Sequence, residues 1–72
     1  MDYDRLTSAE YVGLLNVIER SEAALHVFRA SLADGGEAAV NAHENCNREH
    51  QRMENYISLL QARQLFGKEA AV

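Results

Sequence analysis

The sequence has one cysteine, no proline and no tryptophan among its 72 residues. A single cysteine excludes a disulfide within the chain, and a lone thiol fits a reducing cytoplasm better than a secreted setting. Small domains without disulfides usually gain stability from a bound metal or from oligomerisation. The sequence therefore predicts a cytoplasmic protein that depends on one of these two.

The sequence also has no cluster of basic residues and no long apolar run. Seven Lys and Arg stand against eleven Asp and Glu, which gives a net charge of −4. Because nucleic-acid binding depends on neutralising phosphates with Lys and Arg, this balance argues against a nucleic-acid partner. No apolar run reaches the length of about 20 residues that spans a membrane, and the acidic, polar N-terminus does not resemble a signal peptide. We therefore expect neither nucleic acid nor a membrane as a partner.

Two rows of residues with helical spacing dominate what the sequence does contain. Successive members are three or four residues apart, as on the buried face of a helix in a coiled coil. The rows are Tyr11, Leu14, Ile18, Ser21, Leu25, Phe28 and Leu32 in the first half, and Ala39, His43, Cys46, His50, Met53, Ile57 and Leu60 in the second. Opposed members have residue numbers that add to 71, and a Gly-Gly pair lies between the rows. The pattern predicts an all-α fold, an antiparallel two-helix hairpin.

Capping signals set the limits of the two helices. Thr7 and Glu10 have the spacing of a capping box, in which each side chain accepts a backbone N–H of the other residue. Asp34 and Glu37 repeat this spacing after the first helix. Glycine in left-handed geometry closes a helix at low steric cost. The prediction is one domain with an arm at 1–6, helix 1 at about 8–33, a turn at 34–36, helix 2 at about 37–66 ended by Gly67, and a frayed tail at 67–72.

Both helices carry a second row of small and apolar residues outside this predicted seam. In the predicted register these residues fall on one side of the hairpin. The chief members are Val17, Ala24, Val27, Tyr56, Leu59 and Phe66. Because a stable monomer rarely leaves such a face open to water, we expect it to be an interface. The first interpretation is a homodimer, in which two hairpins close into a four-helix bundle; the second is docking of a different protein.

Four polar residues occupy seam positions where leucine or isoleucine is usual. His43, Cys46 and His50 share one face of helix 2, and Ser21 lies opposite His50. In the structural interpretation Cys46 is a small core residue, and a hydrogen bond to Ser21 offsets the cost of burying His50. In the alternative interpretation the row binds a transition metal, since imidazole and thiolate are ligands of zinc, copper and nickel. Because helix 1 supplies no facing ligand, we predict no cofactor.

Two arginines form the remaining candidate site. Arg20 and Arg52 are predicted to lie close together, and paired guanidiniums can bind a phosphate or a carboxylate. Glu49, one turn before Arg52, offers a neutralising partner within the chain. Salt bridges are therefore the simpler interpretation, and an anionic ligand is the alternative.

The sequence offers little for catalysis. A reactive thiolate needs a helix N-terminus or a cationic pocket, whereas Cys46 is predicted to face the core within helix 2. Neither a phosphate-binding glycine loop nor a nucleophile elbow is found. We expect a non-enzymatic interaction protein that oligomerises and binds or modulates a protein partner, as a regulator, inhibitor or adaptor. A bundle that binds a small ligand or a metal, and a purely structural oligomerisation module, are the alternatives.

Overall fold

The protein is an elongated hairpin of two long helices. The computed structural model describes the backbone of residues 1–70 and the side chains of residues 1–66. A short 3-10 helix at Tyr3–Arg5 precedes α1 at Ser8–Ser31 and α2 at Gly36–Ala70. The two long helices pack against each other in a molecule that measures 56 × 17 × 14 Å. The predicted all-α hairpin of two helices is confirmed.

The N-terminus of α1 has the predicted capping box. The Thr7 hydroxyl accepts the backbone N–H of Glu10 at 3.1 Å, and the Glu10 carboxylate accepts the backbone N–H of Thr7 at 2.9 Å. These bonds satisfy two of the donors that a helix start leaves free. α1 ends at Ser31, two residues before the predicted limit. The turn then ends in two glycines, Gly35 and Gly36, whose φ angles of 66° and 60° favour residues without a Cβ.

α2 continues through Gly67, where the sequence predicted its end, as far as Ala70. A glycine inside a helix costs only about 0.5–1 kcal/mol relative to alanine. This cost is small enough for α2 to continue past Gly67. The predicted frayed tail at 67–72 is helical up to Ala70, and residues 71–72 lie outside the described residues.

Contacts between α1 and α2 stay near the predicted register, since the numbers of hydrogen-bonded and ion-paired residues add to between 66 and 73. The rings of Phe28 and His43, whose numbers add to 71, lie 5.0 Å apart. Farther from the turn, Arg63 forms an ion pair with Glu10. The register follows from the sequence because a four-residue turn leaves the helices little freedom to slide.

The faces that the helices bury differ from the prediction. On α1, Val17 and Ala24 are only 8% and 4% exposed, whereas Leu25, a predicted seam residue, is 46% exposed. The seam thus follows positions 14, 17, 21, 24 and 28 instead of 14, 18, 21, 25 and 28. Small residues let the helices approach closely: a Cβ added at Gly13 would overlap the Tyr56 hydroxyl and lie 2.8 Å from its Cζ.

The apolar core lies at the end of the hairpin remote from the turn, which we call the open end. Leu14, Val17 and Leu60 form its buried centre, and Met1 and Leu6 of the N-terminal arm pack against them. Other half-buried neighbours are Ile18, Met53, Tyr56 and Ile57. The arm is fixed by two hydrogen bonds, since Asp2 donates to Gln64 at 2.9 Å and Gln64 donates back to the Asp2 carbonyl at 2.7 Å.

Candidate interaction surface

Rotation of the seam leaves a row of large apolar side chains on the outer side of α1. We call this row the α1 stripe; it consists of Tyr11, Leu15, Ile18 and Leu25 of α1 and of Leu32, the C-cap residue that follows α1. Ile18 is half-buried and the other four are exposed. The spacing of four, three, seven and seven residues places all five on one face of the helix. Glu22 and Arg29 fill the two remaining positions of this face, and both are exposed.

The sequence pattern contained a sign of this surface. Tyr11, Leu25 and Leu32 were predicted to be core residues, so the stripe was mistaken for the seam. Leu15 fitted neither predicted row, although it lies one turn after Tyr11 and one turn before Ile18. An apolar residue at that position indicates that the row extends beyond a single buried seam.

The second row predicted from the sequence is divided in the structure. Val17 and Ala24 lie between α1 and α2, so they are not available to another chain, and Tyr56 is half-buried. Val27, Leu59 and Phe66 are exposed. Val27 lies near the turn, at the level of His43, and Leu59 is about 24 Å farther along α2 at the 1.5 Å rise of a helix. The row is therefore not one continuous interface.

An ionic cluster occupies the space between these separated residues. The Glu49 carboxylate is 11% exposed, and its Oε1 lies 3.2 Å from Arg20 Nη2 and 3.9 Å from Arg52 Nη1. Its Oε2 has no hydrogen-bond partner among the described residues. A shallow cleft beside the cluster is lined by Arg20, Ala23, Ala24, Val27, Asn45 and Glu49. Each arginine is half-exposed and faces Glu49, which agrees with the predicted salt bridges.

The two histidines of the predicted polar patch are not in the seam, whereas Ser21 and Cys46 are half-buried. His50 is 60% exposed and lies 3.7 Å from Glu54, so the predicted hydrogen bond between buried His50 and Ser21 is wrong. His43 is also exposed and packs on Phe28. The reason is the same rotation, because Glu49 faces α1 at the place assigned to His50. Among the described residues, no three His, Cys, Asp or Glu side chains, including His43, Cys46 and His50, converge as a metal site would require.

One carboxyl group has a clearly perturbed pKa. The backbone N–H of Thr7 donates to Glu10 and lowers the pKa of this carboxyl below its ordinary value of 4.5. Burial acts in the opposite direction, while the Thr7 side chain and Arg63 lower the pKa further. The carboxylate thus joins the start of α1 to α2, and it contributes most in its charged form.

Comparisons with protein-family models, with curated proteins and with solved structures give no match to this chain. Over the described residues, neither α1 nor α2 has an apolar stretch long enough to cross a membrane. The interpretation of function therefore rests on the surface and the core described above.

Proposed function

We propose that the protein is a small, non-enzymatic, cytoplasmic interaction protein that oligomerises through the α1 stripe and binds or modulates a protein partner. The observation that carries this proposal is the stripe itself, four exposed large apolar residues and one half-buried residue on a single helix face. An apolar helix face of this kind is typical of surfaces that bind another helix.

The size of the core supports the same proposal. The buried apolar residues of the described chain are Leu14, Val17, Ala24 and Leu60. Hairpins with so small a core rarely fold stably without a disulfide, a metal or a second subunit. Covering the stripe would remove further apolar surface from water, at about 1.5–3 kcal/mol for each large side chain that becomes fully buried. The stripe can therefore supply stability that the seam alone does not.

The alternative functions receive less support from the geometry. Arg20 and Arg52 already share the Glu49 carboxylate, which weakens their attraction for a further anion. The cleft beside them is shallow and open to solvent, whereas ligand sites usually enclose most of the ligand. A role as an interaction protein uses the most distinctive surface of the molecule and requires no further group.

Sedimentation equilibrium on matched variants tests the proposal. Leu25→Glu places a charge in the stripe, and Val27→Glu places one on an exposed apolar residue only two positions away on another side of α1. We expect a dimer or larger assembly of the wild type at tens of micromolar, roughly the range in which a weak dimer forms. Leu25→Glu should dissociate it, because the contact would bury an unpaired charge, and Val27→Glu should not.

Two results would contradict this function. A monomeric wild type would show that the protein does not oligomerise as proposed. Dissociation by Val27→Glu with no effect of Leu25→Glu would assign the contact to the other side of the hairpin. For the partner, tagged Leu25→Glu and Val27→Glu can be used to isolate proteins from the native host. A partner that Val27→Glu retains and Leu25→Glu loses requires the stripe or the dimer that the stripe forms.

A further inference from the structure

We infer that the α1 stripe, from Ile18 to Leu32, is covered by the same segment of a second copy, packed antiparallel across a two-fold axis at the level of Leu25. This inference rests on the proposed function and names the occupant of its surface. Two independent properties of the hairpin support it, the area that it exposes and the order of charges along the stripe.

The hairpin exposes more surface than a compact monomer of its mass. Its accessible surface is 5322 Å². A compact monomer of 8.1 kDa exposes about 4,500 Å² by the usual scaling of surface with mass. The excess of about 800 Å² equals the share that each partner contributes to an interface of standard size. One dimer contact would therefore bring this chain to the surface area that is ordinary for its mass.

The charges on the stripe select the position of the axis. Glu22 and Arg29 interrupt the apolar row two turns apart, and neither forms an ion pair within the described residues. An antiparallel two-fold brings together residues at equal distances from the axis. An axis level with Leu25 places Glu22 within one residue of the level of Arg29 of the partner subunit, and Arg29 within one residue of the level of the partner's Glu22. An axis level with Glu22 would instead bring two carboxylates together, which is repulsive.

Three of the five residues of the α1 stripe agree with the same axis, whereas Tyr11 and Leu15 would extend beyond the end of the partner's α1. Leu25 meets the partner's Leu25, and Ile18 meets the partner's Leu32 at both ends of the contact. Glu22 and Arg29 lie farther from the hairpin seam than these residues, so their side chains border the contact on its solvent side. The arrangement has an apolar centre with an ionic rim, as interfaces between proteins commonly have. Because the stripe is complementary to itself from Ile18 to Leu32, a second copy is a sufficient occupant of that segment.

A charge-swap series tests this arrangement by sedimentation equilibrium at low salt. The variants are Glu22→Arg, Arg29→Glu and the double variant, with Glu19→Arg as a control on an exposed part of α1 outside the stripe. We expect each single reversal in the stripe to weaken the dimer about tenfold, because it creates two repulsive pairs. The double variant restores both pairs and should return to within about threefold of the wild type. Glu19→Arg should change the dissociation constant little.

A distance measurement tests the axis without reversing any charge. In a Cys46→Ser background, Val12→Cys provides an exposed site for a spin label outside the stripe. At a rise of 1.5 Å per residue, an axis at Leu25 separates the two labels by about 39 Å along the helices, and an axis at Glu22 separates them by about 30 Å. In a parallel dimer the two labels would lie at the same level along the helices.

The outcomes separate this inference from the proposed function. If Leu25→Glu dissociates the dimer but the double charge swap fails to restore it, or the labels show a shorter distance, the stripe remains the contact and this axis is wrong. If Leu25→Glu has no effect on a dimeric wild type, both the axis and the stripe are wrong. Recovery by the double swap, together with the longer distance, supports the axis at Leu25.

Discussion

The open end and the turn end of the hairpin hold α1 and α2 together by different means. At the open end, Leu14, Val17 and Leu60 form a buried cluster that the N-terminal arm covers. Near the turn, the described residues include one buried apolar side chain, that of Ala24. Residues on the facing part of α2, such as Ala42 and Cys46, are half-buried. Apolar packing stabilises the first region, whereas the second depends on a short covalent connection. Stability is therefore unevenly distributed along the molecule.

Shortening one side chain at each end should give the largest difference in the free energy of unfolding. Leu60→Ala removes a side chain that is 2% exposed, and we expect it to lower the free energy of unfolding by about 2–5 kcal/mol. Val40→Ala, at an exposed residue near the turn, should change it by less than about 0.5 kcal/mol. Urea unfolding followed by circular dichroism, at one protein concentration, measures both. Similar losses in the two variants would mean that the core extends to the turn.

Replacing a glycine by alanine should destabilise the protein at both ends, but for different physical reasons. Gly13→Ala forces a Cβ against Tyr56, and we expect a net loss of about 1–2 kcal/mol, because the steric cost exceeds the helical preference for alanine. Adding Tyr56→Phe removes the hydroxyl and should recover part of the loss. Gly35→Ala has free space around it but a φ of 66°, so its cost of about 1–2 kcal/mol comes from the backbone. Tyr56→Phe should not recover that loss, which a double-mutant cycle measures.

Replacing the Glu49 carboxylate, which lies between the two ends, should raise the free energy of unfolding instead of lowering it. Glu49→Leu exchanges a buried charge with one unpaired oxygen for an apolar side chain in the seam. Arg20 and Arg52 are half-exposed and stay hydrated without it. We expect a gain of about 1 kcal/mol in the free energy of unfolding, as when other buried ion pairs are replaced by apolar residues. A loss of similar size in urea unfolding would show that Glu49 stabilises the fold.

The smallest expected effect is the part of the pH dependence of stability that Glu10 contributes at the open end. Since the pKa of Glu10 is lower in the folded chain than its ordinary value of 4.5, its contribution is fully present above that value. It is lost as the pH falls through the folded pKa, because the unfolded chain binds the proton first. Unfolding midpoints measured between neutral and acidic pH should fall less steeply in Glu10→Gln than in the wild type. Glu37→Gln, at the exposed start of α2, is the control, and an equal change in its slope would contradict the assignment.

The features that the sequence predicted correctly are determined by neighbouring residues. The Thr7 and Glu10 capping box, the turn glycines and the helical spacing each involve a few consecutive positions. The antiparallel register also followed, because a short turn limits how far two helices can slide. Local preference and the fold agree at these places, which is usual for natural sequences.

The choice of the buried face could not be made from spacing. Rows through Val17 and Ala24, or through Ile18 and Leu25, both alternate steps of three and four, and the larger residues made the second row the natural prediction. The structure favours the smaller residues because close approach of α1 and α2 depends on how side chains from both helices fit. The burial of Glu49 in place of His50 has the same origin, since Arg20 and Arg52 offset part of the cost of a buried charge.

The position of the core has a consequence for how the hairpin folds. If the strongest contacts were next to the turn, pairing could start there and proceed toward the open end, each step closing only a short loop. Here the cluster of Leu14 with Leu60 joins residues that are far apart in the chain, so its formation must close a loop of more than forty residues at once. Long-range contacts of this kind slow folding. The two helices should therefore come together in a concerted step, with a folding rate that responds to changes at Leu60 more than to changes in the turn.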